Sequence, residues 1–383
     1  MARALYIHWP FCARKCPYCD FNSHVRAEVD YARWQDALVA DMRHEAAPAS
    51  EDTLTSIFFG GGTPSLMPPA LVEALLREAE ALWGFAPDIE ITLEANPSSV
   101  EAARFAALAG AGIDRVSLGL QSLDDEALRF LGRLHDAREG LEALDTAQRH
   151  FDRVSFDLIY ALPGQSEDSW RDQLSRSLGF GTGHVSLYQL TIEPGTRFAT
   201  DVRRGTFEPK DADEAGDMYA LTHELTEAAG LPAYEISNHA RPGEKSRHNL
   251  TYWRYSDYAG IGPGAHGRRG GVATQRHRKP ENWLAAVARS GHGIADERAL
   301  GASEQASEAL LMGLRLAEGI DLAEIGARSG LAFDTLVEPS KLALYADLGF
   351  LHLAGNRVQV TPRGMPLLDA LLGEIVASDL VAA

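Results

Sequence analysis

Three cysteines are the residues of this 383-residue chain with the clearest capacity for chemistry. They are its only cysteines, and they lie together in the segment WPFCARKCPYCDF, at Cys12, Cys16 and Cys19. An odd, tightly spaced set is not a disulfide framework, and free thiols are typical of a reducing compartment. The spacing therefore predicts a metal or redox site in a cytoplasmic protein.

Three thiolates in this spacing can hold either of two kinds of site. Thiolates are soft ligands that suit both zinc and iron–sulfur clusters. A structural zinc ion takes four ligands, and His8 or His24 could supply the fourth. A 4Fe–4S cluster is normally held by four cysteines, so three would leave one iron open to the amine and carboxylate of an outside ligand. The C-x3-C-x2-C spacing favours iron, and zinc stays open as the alternative.

Residues 1–195 alternate short β-branched runs with longer alanine- and leucine-rich amphipathic stretches. The predicted strands are 4–9, 54–59, 89–94, 115–120, 153–159 and 184–190, and the predicted helices are 30–46, 69–83, 98–110, 137–149 and 168–178. Such alternation predicts parallel strands joined by crossover helices. We therefore expect an α/β fold, an open partial (β/α)6 barrel that binds ligands at the carboxyl ends of its strands.

Polar or glycine-rich residues stand at the ends of these predicted strands. The candidates are the GGGTPS run with Gly61, Gly62 and Thr63, then Glu94, Gln121 and Asp157, with Arg133 twelve residues beyond Gln121. Acids at otherwise apolar strand ends are costly unless they are paired or bound to a ligand. Glycines let a ligand approach the backbone, carboxylates accept from ammonium or hydroxyl groups, and arginine can bind a carboxylate bidentately. The pattern predicts a ligand site beside the cysteines.

With these motifs the chain resembles the radical S-adenosylmethionine (SAM) superfamily, and within it the coproporphyrinogen-dehydrogenase-like branch with its HemW-type haem chaperones. The matching segments follow one order from residue 6 to about residue 267: YIHWPFCARKCPYCDF, FFGGGTPS, LEANP, SLGLQS, LGRLH, DLIYALPGQ and RHNLTYWRYSDYAGIGPGAHG. The resemblance implies that Cys12, Cys16 and Cys19 bind three irons of a 4Fe–4S cluster and that SAM binds the fourth. It also implies SAM contacts at Tyr6, Tyr18, Gly61, Gly62, Thr63, Glu94, Gln121, Arg133 and Asp157.

Two features depart from the dehydrogenase of this branch. Its motif has a fourth cysteine two residues after the third, where this chain has Phe21. It also has an N-terminal arm before its first strand, whereas only eleven residues precede Cys12 here. Both differences argue against oxidative decarboxylation of coproporphyrinogen III and agree with the chaperone type.

The second half contains a basic stretch within an acidic chain. Residues 241–279 carry a local charge of +7, against a net charge of −18 for the whole chain. Aromatic residues and histidines are interleaved with these cations. Haem binding uses an axial imidazole, aromatic contacts and cations for the propionates. Stacking on RNA is a competing interpretation, which the overall acidity disfavours.

The segment HNLTYW within this stretch resembles the HNxxYW motif of the HemW type, which is linked with haem binding. The resemblance implies haem contacts at His248, Asn249, Tyr252 and Trp253, with His248 as the candidate iron ligand. From the residues alone, a histidine beside aromatic rings is more often a hydrogen-bonded core position than an iron ligand.

The C-terminal part predicts a smaller domain. An amphipathic helix from about residue 302 is followed by LGFLHLAGNRVQVTP, which predicts a hairpin turning at Gly355 and Asn356. We expect an α+β, winged-helix-like module. The predicted organisation is a radical SAM core over 1–235, a haem-associated connecting segment over 236–298 and a C-terminal domain over 299–383.

These features together predict a cytoplasmic haem chaperone with a 4Fe–4S cluster, SAM and haem b as its cargo. The expected partners are haem-accepting proteins, respiratory and membrane-associated ones among them, and an electron donor for the cluster. The net charge disfavours nucleic acid, no apolar run is long enough for a membrane span, and the N-terminus lacks a secretory signal. The alternatives are a coproporphyrinogen III dehydrogenase and a zinc-stabilised binding module.

Overall fold

Six parallel strands form the centre of the molecule, which a computed structural model describes over residues 4–46, 53–377 and 380. They are β1 Ala4–Trp9, β2 Leu54–Gly61, β3 Phe85–Ala95, β4 Arg115–Gln121, β5 Arg153–Tyr160 and β6 His184–Gln189. Each strand pairs in parallel with the next. The observed strands match the predicted ones to within two residues at each end, except that β3 begins earlier, at Phe85.

Five further strands extend this sheet beyond the predicted barrel. They are β7 Asn238–Ala240, β8 Tyr258–Ile261, β9 His266–Arg269, β10 Val272–Arg276 and β11 Ile294–Ala299. The strand order is β11-β10-β9-β8-β1-β2-β3-β4-β5-β6-β7. β8 lies parallel to β1, and β7, β9, β10 and β11 are antiparallel to their neighbours. The connecting segment therefore belongs to the same sheet as the barrel and flanks β1 directly.

The crossover helices pack against this sheet. They are Tyr31–Ala46, Pro69–Trp83, Ser99–Ala102, Phe105–Gly110, Asp125–Phe130, Ala137–His150, Glu167–Leu178, Arg197–Arg203 and Ala212–Ala228, with a 3-10 turn at Pro64–Leu66. The single helix predicted over 98–110 is broken into two. Arg104 stands at the break, and its guanidinium donates to the carbonyl of Leu66 over 3.0 Å.

The barrel has a continuous apolar core. Ile7, Ile57, Leu93 and Val116 on adjacent strands are all buried in it, as are apolar residues of the covering helices. Strands covered on both faces read as apolar runs, which is why the strand positions could be predicted closely.

The C-terminal part has a separate apolar core. Its three antiparallel strands are Ile320–Asp321, Leu351–Ala354 and Arg357–Val360, with the predicted hairpin turn between the last two. Its helices are Ala302–Gly313, Leu322–Ser329, Phe333–Leu336, Pro339–Asp347 and Leu368–Ile375, with a 3-10 turn at Met365–Leu367. Two helices lie between the domains in the chain, Arg247–Trp253 and Pro280–Ser290. In the described part of the chain, no helix is both long and apolar enough to cross a membrane.

Candidate functional site

The three cysteines lie on the loop that follows β1. This loop is bracketed by a short parallel pair of strands, Phe11–Cys12 and His24–Val25. All three thiols are free and half-buried. Arg133 Nη1 donates to Cys16 Sγ over 3.6 Å, and Ser23 Oγ lies 3.9 Å from Cys19 Sγ. Burial raises the pKa of the Cys12 and Cys19 thiols, so their thiolates need a cationic partner such as a metal.

A cavity of about 420 Å³ opens beside this loop, and we call it the cysteine cavity. It is lined by all three cysteines and by eight of the nine residues predicted to contact SAM: Tyr18, Gly61, Gly62, Thr63, Glu94, Gln121, Arg133 and Asp157. The ninth, Tyr6, lines a neighbouring cavity. The carboxyl ends of parallel strands meet at one edge of the sheet, and this explains how residues so distant in sequence share one cavity.

Three carboxyl groups line the cysteine cavity, those of Glu94, Glu101 and Asp157, and Glu94 and Asp157 are the two predicted to contact SAM. Burial, followed by the charge of Asp157, raises the pKa of Glu94 to about 8. Glu94 Oε2 accepts a hydrogen bond from the Gly61 N–H over 3.1 Å. Burial raises the pKa of Asp157 to about 6, while hydrogen bonds from Ser186 and Ser117 oppose this rise. A positively charged ligand beside them would stabilise both carboxylates and lower both pKa values.

Gln121 and Arg133 carry unused hydrogen-bonding capacity within this cavity. Gln121 Oε1 and Arg133 Nε are buried and have no hydrogen-bond partner among the described residues. Gln121 also has a left-handed backbone, with φ of 66° at the end of β4. Unpaired buried polar atoms and backbone strain are both costly, and they cluster at ligand sites. These two side chains therefore point to a polar ligand in the cysteine cavity.

The arginine is held in place by a further side chain, Asn96. Arg133 Nη2 donates to Asn96 Oδ1 and to the carbonyl of Gly119, the latter over 2.9 Å. Asn96 Nδ2 donates in turn to Thr63 Oγ1 over 3.0 Å. The guanidinium is therefore positioned by hydrogen bonds on one side and faces Cys16 on the other.

The glycine run at the end of β2 lines the cysteine cavity and also lets neighbouring segments pack closely. A Cβ on Gly61 would lie 2.4 Å from the His8 ring, and one on Gly62 would lie 2.6 Å from the carbonyl oxygen of Phe11. The absent side chains therefore make room for β1 and the start of the cysteine loop. Gly61 additionally has φ of +109°, a conformation that favours glycine.

The second cavity, of about 370 Å³, adjoins the first, and we call it the tyrosine cavity. Tyr6, Tyr252 and Tyr258 line it, together with His8, Asn22, Gly264, His266, Gln275 and Arg278. Phe21, Gly61 and Glu94 line both cavities. The Phe21 ring is 60% exposed, so an apolar surface occupies the position where the dehydrogenase has a cysteine.

The HNLTYW segment forms the helix Arg247–Trp253. His248 is buried, and both of its ring nitrogens have partners: Ser56 Oγ at 3.1 Å from Nδ1 and Tyr252 OH at 2.8 Å from Nε2. Burial lowers the pKa of His248 to about 3. Tyr252 lines the tyrosine cavity, whereas Trp253 lies at the junction with the C-terminal domain. The remaining candidate, Asn249, is half-buried beside Tyr234. The four haem candidates are thus divided between two faces of one helix.

The basic stretch 241–279 does not form an open cationic surface. Its arginines pair largely with acids from other segments: Arg247 with Asp88, Arg254 with Glu318, Arg268 with Glu308, Arg269 with Glu45 and Glu297, and Arg276 with Asp41 and Glu45. Arg276 is fully buried. Five of the seven arginines that contribute to the local charge of +7 are therefore paired with acids of other segments in the folded protein.

The residues of the cysteine cavity fit a cluster with SAM by their chemistry. Three soft thiols, a half-buried arginine, three carboxyl groups and unpaired polar atoms line one space. Across residues 4–46, 53–377 and 380, no three His, Cys, Asp or Glu side chains are grouped closely enough to hold a single metal ion. The fit of a cluster therefore rests on the donor set and on the cavity.

Known proteins share both the sequence and the fold. A family model of the radical SAM superfamily matches residues 6–175, and one of the HemN C-terminal domain matches residues 300–367. The heme chaperone HemW of Escherichia coli is 37% identical over 379 residues, which cover 96% of this chain and 97% of that protein. The chain belongs to the HemW-like branch of the radical SAM superfamily. The predicted resemblance is therefore confirmed.

A second sequence relative and a solved structure are also similar to this HemW-like protein. The mitochondrial radical S-adenosyl methionine domain-containing protein 1 of Mus musculus is 43% identical over 327 residues, covering 83% of this chain and 74% of the mouse protein. The structure of the coproporphyrinogen III oxidase HemN from Escherichia coli matches with a TM-score of 0.81 at 22% identity, covering 96% of this chain and 88% of that one. The HemN match shows the fold alone, and it confirms the predicted fold class.

Membership of the radical SAM superfamily implies a 4Fe–4S cluster and SAM as cofactors of this HemW-like protein. The sequence does not predict the roles of two residues that shape the site, Asn96 and Asn22. Asn96 lies in the LEANP segment two residues after Glu94, which is a signal for it, whereas the role of Asn22 depends on contacts with a distant loop. His8, a candidate zinc ligand from the sequence, instead packs against Gly61 with both ring nitrogens hydrogen-bonded.

Proposed function

We propose that this protein is a haem chaperone that binds a 4Fe–4S cluster, SAM and haem b and transfers the haem to respiratory haem proteins. The observation that carries the proposal is the cysteine cavity, which unites the three thiols with eight predicted SAM contacts. The haem part is supported by relatives named heme chaperone HemW, in Escherichia coli and in Mycobacterium tuberculosis, that align over 96% of this chain.

In this proposal Cys12, Cys16 and Cys19 hold the cluster, which together with SAM supplies one-electron chemistry when bound. Arg133 places a positive charge beside Cys16 and is available to a ligand carboxylate. Glu94 and Asp157 accept hydrogen bonds from the cationic or hydroxyl groups of SAM, and Gln121 offers its unpaired oxygen. Thr63, Gly61, Gly62 and Tyr18 complete the wall, and Tyr6 lies just behind it.

The haem cargo is proposed to contact the HNLTYW helix through the side that faces the tyrosine cavity. Tyr252 is the member of this motif that lines the cavity. His248 supports it from the core through the hydrogen bond to its hydroxyl. Acceptor proteins of the respiratory chain, membrane-associated ones among them, and an electron donor for the cluster complete the proposed set of partners.

The decisive experiment combines a haem titration with a transfer assay on anaerobically purified full-length protein. We expect stoichiometric iron and sulfide, a broad absorption at about 400 nm, binding of one equivalent of haem b, and its transfer to an apo-cytochrome b. The matched control is the Cys12→Ser, Cys16→Ser, Cys19→Ser triple variant, which lacks the cluster ligands. A colourless protein with stoichiometric zinc would contradict the cluster. Turnover of coproporphyrinogen III with SAM and a reductant would instead favour the dehydrogenase.

A further inference from the structure

The tyrosine cavity has the chemistry to hold a flat, largely apolar dianion. Tyrosine rings and the exposed Phe21 ring supply aromatic surface along its walls. The rings of Tyr252 and Tyr258 lie 4.7 Å apart at 85°, so one presents its edge to the face of the other. Arg278 is exposed at the same cavity and forms no salt bridge with any described residue. A porphyrin with propionate groups needs both kinds of surface.

One imidazole in this cavity is accessible, that of His266. The side chain is exposed, and its one hydrogen-bond contact with a described residue is a 3.3 Å contact between its Nε2 and the amide nitrogen of Gln275. Partial removal from water, followed by the charges of Arg278 and Arg276, lowers the pKa of His266. The imidazole therefore stays neutral at physiological pH, as a metal ligand must be.

The backbone at His266 is part of a paired, closely packed strand. His266 begins strand β9 and pairs with Gln275 of β10. A Cβ on Gly260 would lie 1.7 Å from the carbonyl oxygen of His266, so these two backbones are packed in contact. A ligand on a paired strand is held more precisely than one on a free loop.

Two other histidines at or behind this cavity, His8 and His248, are hydrogen-bonded through both ring nitrogens. His8 also lines it, but its Nδ1 is bonded to Tyr6 OH and its Nε2 to the carbonyl of Asn22, each at 2.9 Å. His248 is buried behind Tyr252 with both ring nitrogens bonded. Neither can bind iron without giving up one of these hydrogen bonds.

We infer that haem binds in the tyrosine cavity with His266 as the axial ligand of its iron, beside Tyr252 and Tyr258, with Arg278 meeting a propionate. In this arrangement His248 is a positioning residue that fixes the Tyr252 hydroxyl. The inference rests on the proposed haem-chaperone function and assigns the iron to a different histidine from that of the HNLTYW motif.

The test is a titration of ferric haem b into wild type, His266→Gly, His248→Ala and His150→Gly. His150 is an exposed histidine at the end of the helix Ala137–His150 and serves as the matched control. We expect His266→Gly to lose the histidine-ligated absorption and EPR spectrum and to bind haem at least tenfold more weakly. Added imidazole should restore the wild-type spectrum of this variant, which a merely structural role would not allow. His248→Ala should keep the histidine-ligated spectrum.

Two failures can be told apart. If wild type binds no haem, the proposed function itself is wrong. If wild type binds haem but His266→Gly gives the same spectrum and affinity, or imidazole restores nothing, His266 is not the ligand. Loss of the histidine-ligated spectrum in His248→Ala, with thermal melting showing a folded protein, would return the role to His248.

Discussion

The side-chain amide of Asn22 donates a hydrogen bond to the carbonyl oxygen of Pro263 over 2.8 Å, although the two residues are 241 positions apart. The same amide donates to the carbonyl of Arg278, also over 2.8 Å. A Cβ on Gly264 would lie 2.5 Å from this amide. Asn22 follows Cys19 by three residues, so these hydrogen bonds connect the cysteine loop directly to the turn that precedes His266 and strand β9.

Removing the Asn22 side-chain hydrogen bonds should disturb both the cysteine loop and the segments of Pro263 and Arg278. We expect Asn22→Ala to lower the free energy of unfolding by about 1–3 kcal/mol, because two carbonyls lose a donor. It should also speed the loss of the 400 nm absorption in air and weaken haem binding. Chemical denaturation, bleaching rates and haem titration check this. Asn282→Ala, at an exposed helix position, is the control, and an Asn22→Ala variant that matched it in all three measurements would refute the coupling.

Arg133 should matter to SAM binding through its geometry as well as its charge. We expect Arg133→Lys to weaken SAM binding by about 10–100-fold, a range typical for residues that support a metal site. Lysine keeps the charge but cannot hold Asn96, Gly119 and Cys16 with one planar group. Equilibrium dialysis with labelled SAM measures the effect. Arg129→Lys, on an exposed helix nearby in sequence, should bind SAM normally, and equal affinities in the two variants would count against this role.

The raised pKa of Glu94 predicts a pH dependence of SAM binding. Below about pH 8 the free protein holds a proton on this carboxyl, and binding of a cationic ligand must release it. Affinity should therefore rise with pH up to about 8 and then level off, with a slope of up to about tenfold per pH unit. Binding isotherms between pH 6 and pH 9 measure this slope. In Glu94→Gln the dependence of SAM affinity on pH should be weaker by that amount. The amine of SAM titrates equally in both experiments, so it cancels in the comparison. Identical slopes for the two proteins would exclude Glu94 as the titrating group.

Glu90 should be important for stability. Its Oε2 accepts from Arg115 at 3.1 Å and Arg153 at 2.8 Å, while its Oε1 accepts from the N–H groups of Arg247 and His248 at the start of the HNLTYW helix. Glu90→Ala should cost about 3–5 kcal/mol, because it leaves buried guanidinium charge unpaired. Glu126→Ala removes an exposed pair with Arg129 and should cost less than about 1 kcal/mol. Urea denaturation compares the two, and similar losses would contradict the prediction.

The sequence predicted the barrel closely because its periodic signals are local. Strands such as β1 and β5 are apolar runs between helical stretches, so their positions and parallel pairing followed from pattern alone. The carboxyl ends of parallel strands meet at one edge of the sheet, so the pattern also predicted that Glu94, Gln121 and Asp157 lie together. The resemblance to a known family then indicated which ligand these residues contact.

The parts that could not be predicted depend on contacts between distant segments. The charge of the 241–279 stretch follows from the sequence, but its pairing with Asp41, Glu45 and Glu318 depends on tertiary contacts. The burial of His248 likewise depends on Ser56 and Phe58 of β2. The strands β7–β11 and the exposure of His266 likewise have no periodic pattern of apolar residues that would predict them from the sequence.

Glu94 lines both cavities, and this position has a thermodynamic consequence. A ligand in one cavity that favours the ionised form of Glu94 places a negative charge on the wall of the other cavity. It thereby changes the electrostatic environment of a ligand bound there. Linkage requires the effect to be mutual: whatever factor SAM imposes on haem affinity, haem imposes on SAM affinity. Binding of haem and binding of SAM would then change each other's affinity without any movement of the barrel.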